Sequence, residues 1–196
     1  MPVNKYEQTS KEILAQDEVL ISEEEIKKRV VEMAQEIDQA YGQTRILMVG
    51  VLNGATIFMA DLARELGKLN HPVNMNFVKT RRYGENNEPL ETPVIDLDIS
   101  DKKVEGRHVL LVDDVFDEGG TLAFLERHFA KKNPASINKA VLLRKPAHKR
   151  QVEVGVNFVG FDIKDRWVYG YGMNREEGED AEYRNLPYVA AKTTVR

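Results

Sequence analysis

The sequence predicts an α/β fold with a mainly parallel central sheet flanked by helices. Apolar runs at 46–52 and 109–112 are too uniform for half-exposed strands and are typical of strands buried on both faces. Segments with apolar residues at helical spacing follow these runs along the chain. Strands that alternate with helices in this way favour parallel strands joined by crossover helices.

Three helices are predicted from the spacing of apolar residues. The first begins at Ser22, which forms a capping-box pattern with Glu25, and we take it as the first firm element of the chain. Gly42 is expected to end this helix. Two further helices are predicted at 57–67 and 121–129.

Shorter apolar patterns predict the remaining strands, which we expect at 73–77, 95–99, 138–144, 156–162 and 167–172. Residues 80–93 are polar and contain one glycine and two prolines, so we predict a long exposed loop there. Loops of this length without structure of their own are usually functional or disordered.

The composition excludes several classes of protein. A chain of 196 residues, 42% hydrophobic and 31% charged, suits one globular domain with a small appended flap. The net charge of -4 provides no basic field, so we expect no nucleic-acid partner. The absence of cysteine excludes disulfides, thiolate chemistry and a cysteine-based zinc site. With a polar N-terminus and no apolar run of about 18 residues, we expect a soluble, cytoplasmic protein with no membrane partner.

Three carboxylates follow the second buried run, in the stretch VLLVDDVFDEGGTL at 109–122. Asp113, Asp114 and Asp117 come where the strand ends, and open α/β sheets bind ligands outside the carboxyl ends of their strands. One interpretation is a strand-to-helix turn with acidic capping residues. Because clustered carboxylates repel one another, we favour a cation or a polyhydroxyl ligand that compensates them.

A glycine turn follows the carboxylates and opens the third predicted helix. Gly119 and Gly120 allow the backbone to approach a ligand closely, and successive N–H groups can point at an anion. The helix N-terminus near Thr121 adds its dipole and a hydroxyl donor. The pattern predicts a phosphate cradle without a lysine, since no Walker A motif occurs.

This stretch resembles the phosphoribosyl pyrophosphate (PRPP) signature of type I phosphoribosyltransferases, and its DEGGT form resembles their hypoxanthine–guanine branch. The resemblance covers about 45–190 and implies that family's fold, with one domain over 1–196, a core at about 45–150, and a small hood formed by about 151–196 with part of the N-terminal segment. It implies that the ribose hydroxyls are held by Asp113 and Asp114, directly or through Mg²⁺. It further implies that Asp117 handles the proton at purine N7 as the catalytic residue. The implied PRPP and 5-phosphate site consists of Asp113, Asp114, Asp117, Glu118, Gly119, Gly120 and Thr121.

Two further segments resemble the pyrophosphate-binding parts of these enzymes. VGVLNG at 49–54 is similar to their pyrophosphate loop, which implies backbone contacts from Asn53 and Gly54 and a peptide before Asn53 that can be cis. Asn53 stands where a lysine is usual, and as a bare sequence the segment is equally a strand–turn–helix junction. YRNLP at 183–187 implies that Arg184 binds pyrophosphate, with a surface salt bridge as the alternative.

The purine site is implied by two segments that follow in family order. Lys145, at the end of LLRK, corresponds to the lysine that bonds the 6-oxo group, although a strand-end lysine is usually solvated. An ammonium only donates, so it selects a 6-oxo over a 6-amino group. In DRWV, Trp167 would stack on the base and the Val168 backbone would contact its edge, with core packing as the alternative for Trp167.

Two segments depart from the family pattern. Arg82 and Tyr83 occupy the position of the mobile lid that closes over PRPP, and the arginines at 81 and 82 either meet pyrophosphate or face solvent. Asn174 stands where an aspartate normally helps to hold Mg²⁺; its carbonyl can coordinate but brings no charge. Asp113, Asp114 and Asn174 are therefore the candidate Mg²⁺ ligands, with Glu176 or Glu177 as substitutes for the third.

The implied activity is purine salvage, in which 5-phosphoribosyl passes from PRPP to N9 of hypoxanthine or guanine with release of pyrophosphate. The resemblance also implies Mg²⁺ as cofactor and a homo-oligomer, dimer or tetramer. The alternative is a regulator of the same fold that binds nucleotide or RNA with little catalysis. A Rossmann dehydrogenase is excluded, because no G-x-G-x-x-G follows the first strand.

Overall fold

The computed structural model describes residues 17–83, 89–146, 152, 154–175 and 183–193. In chain order the elements are β1 (Glu18–Ile21), α1 (Glu23–Tyr41), β2 (Ile46–Leu52), α2 (Thr56–Lys68), β3 (Val73–Tyr83), β4 (Pro89–Leu97), α3 (Asp101–Val104), β5 (His108–Phe116), α4 (Gly120–Ala130), β6 (Ser136–Arg144), β7 (Phe158–Asp162), β8 (Val168–Tyr169) and β9 (Val189–Ala191).

Six of these strands form a central sheet in the order β4-β3-β2-β5-β6-β7. All neighbours are parallel except β4, which pairs antiparallel with β3 at one edge. A second, smaller sheet has the antiparallel order β1-β9-β8. The α/β class and the mainly parallel sheet predicted from sequence are confirmed.

Two hydrophobic clusters cover the two faces of the central sheet. On β2, Ile46 and Met48 belong to the cluster under α1 and α2, whereas Leu47, Val49 and Val51 belong to the cluster under α4. Alternate residues of a strand point to opposite faces, so a strand covered on both sides is apolar throughout. No helix in the described part of the chain is long and apolar enough to span a bilayer.

Helix α1 begins as the sequence predicts. The Ser22 amide donates to Glu25 Oε2 at 2.8 Å, and the Glu25 amide donates to Ser22 Oγ at 3.2 Å, which completes a capping box. Gly42 ends the helix with φ 56°. The prediction that Ser22 opens the first element is wrong, however, because the short strand β1 precedes it.

The exposed loop predicted at 80–93 is wrong in part. Strand β3 continues to Tyr83 and β4 begins at Pro89, and the two pair antiparallel at the edge of the sheet. Polar residues fit such an edge strand, where Arg81 Nε donates to Asp96 at 2.9 Å. The Arg81 side chain is therefore ion-paired with a neighbouring strand. Residues 84–88 lie outside the described part of the chain.

The strand predicted at 167–172 is shorter in the structure. Strand β8 contains only Val168 and Tyr169, because the next three residues have φ of 87°, 47° and 104°. These positive values turn the chain away from an extended path. The predicted strand at 95–99 likewise ends at Leu97.

An ion-pair network around Asp98, with the Lys132 side chain buried, connects the end of β4 to the end of α4. Asp98 accepts from the Ile99 amide at 2.7 Å, from Lys132 Nζ at 2.8 Å and from His128 Nε2 at 3.0 Å. Burial opposes ionisation of Asp98, but the hydrogen bonds from Lys132, Ile99 and His128 outweigh it and lower the pKa of this carboxyl. The carboxylate therefore stabilises the fold.

The network predicts a loss of stability in acid. A lowered pKa in the folded state contributes stability above the unfolded value of about 4, and the contribution is lost as pH falls through the folded value. The free energy of unfolding, measured in urea from pH 3 to 7, should fall more steeply with acid in the wild type than in Asp98→Asn. Glu105→Gln, at an exposed carboxylate after α3, should keep the wild-type slope. Identical slopes for wild type and Asp98→Asn would contradict this role.

Candidate active site

A cleft of about 420 Å³ lies at the carboxyl ends of β2, β5 and β6. Parallel strands all present their carboxyl ends at one edge, so the residues that follow three separate strands meet there. The cleft is lined by Val51, Leu52, Gly54, Thr80, Asp113, Asp114, Val115, Asp117, Thr121, Lys145, Trp167, Val168, Met173, Asn174 and Arg184. Ten residues of the sequence-predicted site thus share one cavity.

A second cavity of about 180 Å³ adjoins this cleft at the start of α4. It is lined by Asp113, Val115, Phe116, Asp117, Glu118, Gly119, Thr121 and Leu122. Gly119 has φ 84°, in the left-handed region that favours glycine, and a Cβ there would lie 3.2 Å from Phe116. The cavity therefore lies at the N-terminus of α4, a position where free backbone N–H groups favour an anion.

The two adjacent carboxylates at the end of β5 are held by the backbone. Asp113 is 7% exposed, and its Oδ1 accepts the Asp114 amide at 3.0 Å. Asp114 Oδ1 accepts the Val115 amide at 2.8 Å. A Cβ at Gly54 would overlap the Asp114 carboxylate, so this carboxylate reaches the loop after β2.

Asp117 and Lys145 form a close pair inside the cleft. Lys145 Nζ donates to Asp117 Oδ2 at 2.7 Å and lies 3.8 Å from Asp165. The Lys145 amide also donates to Phe116 O at 2.9 Å, which aligns the chain after β6 with the end of β5. The Lys145 side chain is only 11% exposed, so the solvated alternative is wrong. Asp117 Oδ1 is buried and accepts no hydrogen bond from the described residues.

Trp167 forms one wall of the cleft. Trp167 is 43% exposed, so the alternative that it packs in the core is wrong. The indole Nε1 donates to the Arg175 carbonyl at 2.8 Å, which fixes one edge of the ring. Val168, the next residue, is 7% exposed and begins β8.

Arg184 and Asn174 carry unsatisfied polar atoms in the same cleft. Arg184 Nη1 donates to the Gly172 carbonyl, while Arg184 Nε and Asn174 Oδ1 are buried without a hydrogen-bond partner in the described part of the chain. Burial lowers the pKa of Arg184, and the charge of Asp114 opposes that shift. Buried polar atoms are normally paired, so a donor and an acceptor left over in a cleft indicate a polar ligand.

The loop after β2 lies against the turn after β8. The peptide between Leu52 and Asn53 is cis, as the family resemblance allows. Thr56 Oγ1 donates to the Asn53 carbonyl at 2.7 Å and holds the loop at the start of α2. At Gly172, with φ 104°, a Cβ would overlap the Gly54 carbonyl oxygen. Only a residue without a side chain permits this contact.

Gly172→Ala should therefore disturb both the fold and the cleft. The left-handed φ alone costs roughly 1–3 kcal/mol, and the overlap with Gly54 adds to it. We expect a lower free energy of unfolding in urea and a loss of activity. Gly67→Ala is the matched control, since no atom lies within 4 Å of its Cβ and alanine favours a helix. Equal stability of Gly172→Ala and wild type would contradict the packing described here.

Several sequence-predicted residues lie outside the described part of the chain. The backbone of Arg82 and Tyr83 ends β3, but their side chains are not described. Glu176 and Glu177 belong to the undescribed range 176–182. Their roles stay predictions.

The oxygen donors in the cleft fit one mode of magnesium binding. No group of three or more His, Cys, Asp and Glu side chains close enough to hold a metal occurs among the described residues. Mg²⁺, however, usually binds through one or two carboxylates together with substrate phosphates and water. Asp113, Asp114 and the buried carbonyl oxygen of Asn174 are a donor set of that kind.

Comparison with known proteins identifies the family of this chain. Residues 16–176 match the model of the phosphoribosyl transferase domain. The chain belongs to the phosphoribosyltransferase family. It is 40% identical over 175 residues to the hypoxanthine-guanine phosphoribosyltransferase of Bacillus subtilis, covering 88% of this chain and 91% of that protein. It is 36% identical over 174 residues to the hypoxanthine phosphoribosyltransferase of Escherichia coli, covering 88% and 93%.

Solved structures agree with this assignment. The crystal structure of a hypoxanthine-guanine phosphoribosyltransferase from Bacillus anthracis superimposes with a TM-score of 0.79 at 34% identity, covering 90% of this phosphoribosyltransferase and 98% of that chain. The type I phosphoribosyltransferase fold expected from the sequence is confirmed.

Five residues that line the cleft of this phosphoribosyltransferase are not among the predicted site residues, namely Val51, Leu52, Thr80, Val115 and Met173. Val51, Leu52 and Val115 lie within the motifs at 49–54 and 109–122, whereas Thr80 and Met173 lie in neither. The polar pattern of 80–93 places Thr80 in an exposed loop. Leu52 pairs with Lys79 in parallel register, so Thr80 lies beside the loop after β2. A prediction that β3 continues beyond residue 77 would have indicated this proximity. Met173 carries no such signal, because it depends on the turn after β8.

Proposed function

We propose that this phosphoribosyltransferase acts in purine salvage, joining the 5-phosphoribosyl group of PRPP to N9 of hypoxanthine or guanine with release of pyrophosphate. The pair formed by Asp117 and Lys145 is the observation that carries the proposal. It combines a buried ammonium donor with a carboxylate whose second oxygen has no partner in the described structure. The relatives named above carry the names of enzymes with this activity.

This pair is complementary to one edge of a 6-oxopurine. N7 and O6 lie side by side on that edge of the ring. Lys145 would donate to O6, and Asp117 Oδ1 would accept the proton carried by N7. The pair is already in contact at 2.7 Å, so both groups can reach neighbouring atoms of one base. Adenine presents an amino group to the ammonium, and two donors then face each other.

The walls of the cleft would hold the base. Trp167 presents an exposed ring for stacking, and the Val168 backbone would contact the edge of the base. We assign the hood to the sheet β1-β9-β8 with the segments that precede and follow β8. The core of the domain is then the central sheet with its helices.

PRPP would lie across the two cavities. Its 5-phosphate would occupy the cavity at the start of α4, where Glu118, Gly119, Gly120 and Thr121 form the turn. The ribose hydroxyls would meet Asp113 and Asp114, whose negative charge then lies near the sugar carbon as it gains positive charge. The pyrophosphate would meet Arg184 and the backbone at Asn53 and Gly54, which stabilise the charge that develops on its oxygens. Asp117 would take the purine proton as general base.

Asp113, Asp114 and Asn174 would hold Mg²⁺ beside the pyrophosphate. When bound, the ion neutralises charge on the leaving oxygens. Because an amide brings no charge, we expect weaker or differently arranged metal binding than a third carboxylate would give. Arg82 and Tyr83 would form the lid that excludes water.

An activity panel tests the proposed function. Purified protein is mixed with PRPP, Mg²⁺ and one base at a time from hypoxanthine, guanine, xanthine and adenine, and nucleotide is measured by chromatography. We expect product with hypoxanthine or guanine and none with adenine. Product with adenine alone would contradict the role of Lys145, and absence of product with every base would refute the function.

The regulator without catalysis is disfavoured by the relatives and by the paired Asp117 and Lys145. An RNA filter-binding assay beside the panel separates the two functions. RNA binding without nucleotide formation would support the regulator.

We also propose a cytoplasmic homo-oligomer, dimer or tetramer, as the family resemblance implies. Exposed apolar side chains at one edge of the sheet support a contact between copies, namely Met75, Val94 and Leu97. Light scattering after size-exclusion chromatography gives the subunit number, and a monomer at micromolar concentration would contradict this part of the proposal.

A further inference from the structure

A buried carboxylate joins three separate segments of the hood. Asp17 Oδ1 accepts the Thr193 amide at 2.7 Å. Asp17 Oδ2 accepts the Tyr169 hydroxyl at 3.0 Å and the Arg175 guanidinium at 3.1 Å from Nε and 3.0 Å from Nη2. The Asp17 side chain is only 3% exposed. The residue before β1 therefore fixes Arg175 by two charge-assisted hydrogen bonds, a geometry that restricts rotation of the guanidinium.

Arg175 is also fixed from a second side. Its guanidinium lies over the Tyr169 ring, 5.5 Å from the centroid, and Tyr169 is fully buried. A cation over an aromatic face is attracted to the ring electrons. The side chain of Arg175 is thus held between a carboxylate and a buried ring, and its backbone position follows from both contacts.

The backbone of Arg175 holds the wall of the cleft. Its carbonyl accepts the Trp167 indole N–H at 2.8 Å, which is the hydrogen bond that sets the ring edge. Asn174, immediately before it, lines the same cleft. A path of contacts therefore runs from Asp17 through the Arg175 side chain and carbonyl to the indole.

We propose that Asp17 is a positioning residue that orients the Trp167 ring for the purine base through Arg175. The inference rests on the proposed function for the identity of the base. Asp17 touches neither substrate in this arrangement, and the cavity for the 5-phosphate lies at the start of α4, away from this path. The consequence is selective: loss of Asp17 loosens the purine wall and leaves PRPP binding unchanged.

Asp17→Asn tests the path, because an amide brings one acceptor oxygen and an NH₂ donor that repels the guanidinium. With saturating PRPP, the KM for hypoxanthine should rise roughly 5- to 20-fold. This is only a part of the affinity that a base loses when its aromatic stacking partner is removed completely. The kcat and the Kd of PRPP by calorimetry should stay within about twofold. Arg175→Met breaks the same link from the other side and should give the same pattern.

Trp167 fluorescence provides a readout without substrate. Trp167 is the only tryptophan, so acrylamide quenching reports this ring alone. Quenching should increase in Asp17→Asn and Arg175→Met. In a Trp167→Phe background, which lacks the indole N–H, Asp17→Asn should add less than twofold to the KM for hypoxanthine.

Glu18→Gln is the matched control, since it removes a neighbouring charge that pairs with Arg166 on the exposed side of the hood. It should leave quenching and KM as in the wild type. Unchanged quenching and KM in both folded variants, Asp17→Asn and Arg175→Met, would overturn the proposal. An equal weakening of purine and PRPP would overturn it too, because it indicates general loosening. An inactive wild type would instead refute the proposed function, and the quenching result would still decide the role of Asp17.

Discussion

Replacing Asp117 with asparagine should lower turnover by roughly 10²–10⁴-fold, the usual contribution of a general base. The amide has nearly the same shape, but it cannot take the proton from N7. Its oxygen can still accept from Lys145, so the 2.7 Å contact has a neutral equivalent. Binding of PRPP should persist, because the phosphate cavity depends mainly on the turn before α4.

The measurement is the kcat for IMP formation together with the Kd of PRPP by calorimetry. Glu126→Gln is the control, since Glu126 lies on α4, pairs with Lys139 at 2.6 Å and forms no part of the cleft. It should retain wild-type turnover. Near-normal turnover of Asp117→Asn would remove Asp117 from the role of base.

Arg184→Met should lower kcat by roughly 10²–10³-fold, as removal of one donor to a developing anion does in other enzymes. The free Nε of Arg184 is buried in the cleft and has no partner in the described structure. Charge on the leaving pyrophosphate increases as the bond to ribose breaks, so the guanidinium acts most strongly in the transition state. Arg184→Lys keeps the charge but lacks the planar set of guanidinium donors, so its kcat should lie between those of the wild type and Arg184→Met.

The Kd of pyrophosphate, measured by calorimetry, provides the second readout and should increase in Arg184→Met. Arg144→Met is the matched control. Arg144 forms a bidentate pair with Asp162 at 2.6 and 2.8 Å and does not line the cleft. If both variants lost activity equally, the effect would belong to arginine loss in general and not to the leaving group.

The sequence predicted those parts of the site that follow from local pattern. The run at 109–112 identified β5. The acidic residues beyond this run and the glycine turn identified the part of the cleft that lies between β5 and α4. The signal is local because strand, carboxylates and helix start are contiguous in the chain. The capping box of Ser22 and Glu25 was predictable for the same reason.

The hood was less predictable, because its contacts join distant segments. Strand β9 has three residues, and its partners β1 and β8 lie at the other end of the chain and across a turn. No periodic pattern arises in so short a strand. The contact of Asp17 with Arg175 is of the same kind, since neither residue carries a local motif.

The edge of the central sheet was misjudged for a different physical reason. Residues 80–93 are polar, and polarity of this kind predicts a loop. An edge strand with one solvated face also carries polar side chains, as the ion pair of Arg81 with Asp96 illustrates. Composition alone does not distinguish a polar edge strand from an exposed loop.

Calorimetric titration of PRPP in the presence of Mg²⁺ tests most directly whether the carboxylates at the end of β5 and the glycine turn bind a phosphorylated sugar. We predict one PRPP per chain for the wild type. We further predict a Kd about 10-fold or more weaker for Thr121→Val, since a hydrogen bond to a charged group contributes about 1.5–3 kcal/mol. Absence of binding by the folded wild type, or equal affinity of the two proteins, would contradict the assignment of this turn.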